Sequence, residues 1–103
     1  MELSLNDFAA AVAARAAWWQ EAGVQWQLHY GPAHDKSAAW VDCTTAHREA
    51  QLTVWTSGEA ELDVGDVSTG AITSTHYELS DTAELAVCLD DLTGQLTAPT
   101  GGA

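Results

Sequence analysis

Residues 24–30 read Val-Gln-Trp-Gln-Leu-His-Tyr. Val24, Trp26, Leu28 and Tyr30 take every second place, with Gln25, Gln27 and His29 between them. A period of two belongs to a strand with one face buried and the other wet. Such a strand cannot stand alone, because its backbone donors and acceptors need neighbours. The chain must therefore supply a sheet and an apolar layer to cover one side of it.

The remaining residues supply both. Strands are expected at about 38–44, 49–56, 59–64 and 71–79. A polar loop at 31–37 opens with Gly31-Pro32, Ser57-Gly58 makes a tight turn, and Gly65 to Gly70 make another. Links this short join antiparallel neighbours. Ahead of the strands, Leu5, Phe8, Val12, Ala16 and Trp19 fall on one helical stripe over about 5–21, and Gly23 is a stop signal. Ser4 and Asp7 have the spacing of a capping box, with Asp in the place of Glu. Behind the strands, Asp81 and Glu84 open a second helix whose stripe is Leu85, Leu89, Leu92 and Leu96. Each helix has one apolar stripe, so both must cover the same face. The expected fold is α+β: an antiparallel meander sheet of four or five strands with an N-terminal and a C-terminal helix packed on one face. Its expected core is Leu5, Phe8, Val12, Leu52, Val54, Leu62, Leu85, Leu89 and Leu92. A chain of 103 residues makes one domain, here residues 1–96. The segment 97–103, Thr-Ala-Pro-Thr-Gly-Gly-Ala, has nothing apolar to bury and is expected to be a disordered tail.

Charge narrows the choice of partner. Fifteen acids against three bases give a net charge of −12. Such a chain repels nucleic acid and anionic membrane, which leaves a basic protein partner or no charged partner at all. Met1 to Asp7 carry two acids and no base, unlike the start of a signal peptide. The longest apolar stretch, 8–19, is interrupted by Arg15 and falls short of the ~20 residues that a membrane span needs. These readings lead to a cytoplasmic expectation, with Cys43 and Cys88 reduced and buried.

Strand phase then predicts what the uncovered face carries. With Val41, Cys43, Ala50, Leu52, Val54, Ala60, Leu62 and Val64 turned inward, Trp40, Asp42, Trp55, Glu59, Glu61 and Asp63 turn outward. Together with Asp66 in the turn that follows the fourth strand, they form the candidate partner-binding set: tryptophan anchors ringed by acid. Outward carboxylates also serve as a solvated face or as edge protection. Two tryptophans on adjacent strands can simply pair with each other or lie under the 31–37 loop.

Nothing in the chain assembles into catalytic machinery. Cys43 and His47 are close in sequence but span a turn, with no oxyanion loop near them. Cys43, His47, His29 and His34 match no closed zinc spacing. Glu59, Glu61 and Asp63 lack the pocket that would separate two carboxyl pKa values. The glycines at 65 and 70 are not followed by Lys-Ser/Thr, so no phosphate loop is present. No cofactor, metal or enzymatic activity is expected.

The stretch Gln51-Leu-Thr-Val-Trp-Thr-Ser-Gly-Glu-Ala-Glu-Leu-Asp-Val-Gly-Asp-Val-Ser-Thr-Gly70, continuing to His76-Tyr-Glu-Leu and the helix Glu84-Leu-Ala-Val-Cys-Leu, resembles the TriTu-type immunity proteins of bacterial polymorphic toxin systems. The hairpin Val54-Trp-Thr-Ser-Gly-Glu59 is the most specific part. The Asp66-x-x-x-Gly70 turn and the leucine helix also fit, and the resemblance covers about 15–96. It implies a small cytoplasmic antidote that binds and blocks a cognate toxin, and it carries over no catalytic residue. Two other classes stay open at this stage: a secretion chaperone, and an acidic mimic of nucleic acid that inhibits a basic protein. Self-association is open as well.

Overall fold

The computed structural model describes residues 4–33 and 36–97. The element order is α1 (Leu5–Glu21), β1 (Gln25–Ala33), β2 (Lys36–Thr44), β3 (Arg48–Trp55), β4 (Glu59–Asp66), β5 (Ile72–Glu78) and α2 (Thr82–Thr97). The strands form one antiparallel sheet in the order β1-β2-β3-β4-β5, a plain meander. The fold is α+β, as the alternation and the two stripes predict. The tail expected at 97–103 begins one residue too early, since Thr97 ends α2; residues 98–103 lie outside the described residues.

Both helices pack on one face. Phe8, Val12 and Trp19 of α1 and Leu85, Cys88, Leu89, Leu92 and Leu96 of α2 meet Ala39, Val41, Cys43, Ala50, Leu52, Val54, Ala60, Leu62 and Val64 in a single core. Register explains the coherence: Leu28, Val41, Leu52, Leu62 and Thr75 form one row across the sheet. α1 lies over β1, β2 and β3, and α2 over β3 and β4. Leu5, expected in the core, is only half-buried, because the first turn of α1 reaches the margin of the layer.

Local chemistry sets the ends of the elements. α1 stops in a Schellman arrangement: Gly23 takes φ +78°, its N–H donates to Gln20 O (3.2 Å), and Val24 N–H donates to Trp19 O (2.8 Å). Val24 is buried there. The β3–β4 hairpin turns through Trp55-Thr56-Ser57-Gly58, where Gly58 N–H donates to Trp55 O (2.9 Å) and Gly58 takes φ +96°. Asp81 caps α2, its Oδ1 accepting from Glu84 N–H at 3.0 Å. Ser4 does not close the expected capping box; its side chain makes no cap bond, and its carbonyl accepts from Asp7 N–H instead (3.1 Å).

The expected loop at 31–37 is the main departure. β1 runs through Gly31 to Ala33 and β2 begins at Lys36, so strand occupies most of that stretch. Glycine and proline punctuate a chain, but both are tolerated in an edge strand. β1 is such an edge. Among the described residues, no helix is long and apolar enough to cross a membrane.

Candidate functional site

The sheet face turned away from the helices is the candidate site. Its central row is His29, Trp40, Thr53, Glu61 and His76; the next is Gln27, Asp42, Gln51, Asp63 and Ser74. Asp42, Glu49, Glu59, Glu61, Asp63 and Glu78 all share this phase, and no described Lys or Arg side chain does. Two of the bases serve the helix side. Arg48 donates to Gln95 O (2.7 Å), and Arg15 pairs with Asp90 (2.8 Å). The face is thus acidic through the acids it holds, with Arg15 and Arg48 engaged on the helix side.

Trp40 organises the centre. Its indole stacks on the His29 imidazole, with centroids 5.6 Å apart and planes at 18°. The far edge of the indole lies over Gly31, where a Cβ would meet it at 3.5 Å. His29 Nε2 stands 3.1 Å from Asp42 Oδ2, close enough for an ion pair. It is not aligned for a hydrogen bond, so this buried nitrogen has no hydrogen-bonded partner. Trp40 is opposite Thr53 and Trp55 opposite Ala38. The two indoles are therefore diagonal neighbours, not the directly opposed pair that the sequence allows. Thr53 and Ala38 are only 8% and 1% exposed, although both belong to the open face. The tryptophans themselves are half-buried.

Of the expected set, the fold brings Trp40, Asp42, Trp55, Glu59, Glu61 and Asp63 onto one face. Asp66 is not among them. It falls in the helix-side phase of β4, and its Oδ1 accepts from Ser68 N–H (2.9 Å), Ser68 Oγ (2.7 Å) and Thr69 N–H (3.2 Å). Those hydrogen bonds, the Ser68 hydroxyl foremost, hold its carboxyl below the usual aspartate range. Asp66 builds the β4–β5 turn. The face also contains residues outside that set. A shallow trough of about 410 Å³ is lined by Asp42, Glu49, Gln51, Asp63 and Ile72. Alternation alone puts Glu49 and Gln51 on this face; the trough follows from register, which pairs Gln51 with both Asp42 and Asp63.

The residues considered for chemistry are dispersed. Cys43 is buried on the helix side, His47 is exposed in the β2–β3 turn, and His29 is on the open face. His34 lies outside the described residues. Burial, with Asp42 adding to it, pushes the Cys43 thiol up to about 12; burial does the same at Cys88. Neither is a ready thiolate. A second groove, about 320 Å³, runs between the helices beside Trp18 and is bounded by the Arg15–Asp90 pair.

The family model for immunity protein TriTu matches residues 6–94. The chain belongs to that family. The match takes in α1, all five strands and most of α2, so the TriTu unit is the whole helix–meander–helix layer and the open face is part of it. Among curated proteins, none matches the chain significantly.

Proposed function

We propose that the protein is an antidote that binds a cognate toxin and blocks it with the open sheet face. The observation that carries this reading is the asymmetry of the two faces. One is sealed by helices, while the other places Trp40 and Trp55 in the same phase as the carboxylates Asp42, Glu59, Glu61 and Asp63. Half-buried aromatics inside a charged rim are what an interface anchor consists of. An acidic face selects a basic surface and accelerates the encounter with it. Membership of an immunity family supports an inhibitor over a catalyst.

The mimic reading uses the same face. The flat His29–Trp40 stack beside spaced carboxylates favours it, because single-stranded nucleic acid also offers rings and anions to a basic groove. The chaperone reading would use the interhelical groove, which is small and bounded by an ion pair.

Co-expression with a candidate toxin, taken from the open reading frames neighbouring this gene, tests the proposal. The wild-type protein is expected to restore growth, and a folded Trp40→Ala, Glu61→Lys, Asp63→Lys variant is expected to fail. Full protection by that variant would remove the open face from the mechanism.

A further inference from the structure

The sheet has two edges, β1 and β5. β1 carries Pro32, a residue that blunts further strand pairing. β5, Ile-Thr-Ser-Thr-His-Tyr-Glu, carries no Pro, Lys or Gly, and among the described residues no strand pairs with its outer side. The direction of its backbone groups follows from the ladder. Leu79 N–H donates to Gly58 O (2.8 Å), and Ala71 O accepts from Asp66 N–H (2.9 Å). Odd-numbered residues thus face β4, and Ile72, Ser74, His76 and Glu78 turn their N–H and C=O groups outward.

We propose that β5 is a self-pairing edge that joins two copies of the chain about a two-fold axis at Thr75. In that register Ser74 is opposite His76 of the second copy, and Ile72 is opposite Glu78. Every outward N–H and C=O then falls in a hydrogen-bonded pair. Thr75 is the axis position that engages the whole strand; an odd shift would set outward groups against inward ones.

The charges agree. Along the open face the seam reads Asp63 and Ser74 from one copy, then His76 and Glu61 from the other. Within each copy Ser74 Oγ donates to Asp63 Oδ1 (2.6 Å), and His76 Nδ1 stands 3.8 Å from Glu61 Oε1. A hydroxyl and an imidazole therefore separate the carboxylates, and Glu78 meets an isoleucine. A chain of net charge −12 meets its copy along a strand with a single carboxylate. Ile72, 74% exposed in the single chain, is covered by the pairing. On the helix side Thr75 meets Thr75, a favourable cross-strand pair. The axis is normal to the sheet, so both open faces point the same way. This inference is independent of toxin binding.

Sedimentation equilibrium of the full chain tests it. The mass is expected to rise with concentration from 10.9 kDa toward twice that value. Ser74→Pro removes one outward N–H and no backbone bond to β4, along with the Ser74 Oγ bond to Asp63. It should keep the far-UV circular dichroism spectrum and weaken self-association at least ~10-fold, whereas Ser74→Ala, which loses the same side-chain bond and keeps the N–H, should still dimerise. Thr75→Lys and Thr75→Glu should each stay monomeric alone and form the dimer when mixed, because like charges oppose at the axis and unlike charges attract. Monomer mass at every concentration overturns the proposal. So does a dimer whose dissociation constant is unchanged in Ser74→Pro, Thr75→Lys and Thr75→Glu alike.

Discussion

Trp19 Nε1 donates to Thr93 Oγ1 at 2.9 Å, and that hydroxyl donates in turn to Leu89 O at 2.8 Å. The pair ties α1 to α2 through the largest buried side chain of the core. Thr93→Val should leave the buried indole N–H unpaired at a cost of about 1–3 kcal/mol. Thr93→Ser keeps the hydroxyl and should lie closer to wild type. Urea unfolding of the two variants measures the difference, and equal midpoints would show that the bond contributes nothing net.

The tryptophans separate binding from folding. Trp40→Ala and Trp55→Ala should each weaken toxin binding by about 2 kcal/mol or more if they are anchors. Both are half-buried, so each should cost less stability than the 3–5 kcal/mol typical of a fully buried aromatic. Calorimetric titration and thermal unfolding on the same samples give the two numbers. Loss of stability with unchanged intrinsic affinity would end the anchor reading.

The acids should act on the encounter more than on the bound state. Stopped-flow association with the toxin is expected to slow by roughly tenfold or more from low to high salt. Glu61→Lys with Asp63→Lys should reproduce most of that loss at low salt. Salt-independent association would contradict an electrostatic face.

Asp66 should report on pH. Its carboxyl is held below the usual range by the turn's donors, so its contribution is present above the unfolded value of about 4 and is lost as pH falls through the folded value. Asp66→Ala should be less stable than wild type at neutral pH, and the gap should close in acid. A constant gap across the titration would mean that the turn does not depend on the charge.

The thiols should be silent in the fold. Cys43 and Cys88 are buried and pushed up to about 12, so a disulfide reagent at mild alkaline pH should label neither until denaturant is added. The same shifts oppose deprotonation in the folded state. Stability from them is full below the ordinary thiol value near 9 and is lost as pH rises toward about 12.

Much of this architecture is local information. The alternation at 24–30 and the phases of 40–44, 50–54 and 60–64 state which residues face the core, because side-chain direction in a strand has a fixed period. The leucine spacing in α2 and the Asp81 cap are equally local. The open face was legible for the same reason: once the core phase is set, the other phase is wet. Tertiary structure decided the rest, since it depends on which residues meet across strands. Whether Gly31-Pro32 ends a strand depends on the presence of a neighbour to pair with, so the chain runs on as β1. That Trp40 lies diagonal to Trp55 and stacks on His29 follows from a register set by three strands at once. Asp66 belongs to a turn because the donors of Ser68 and Thr69 come within reach only when the β4–β5 hairpin closes. Among the described residues β5 is an edge because the meander stops there, which no stretch of sequence states by itself.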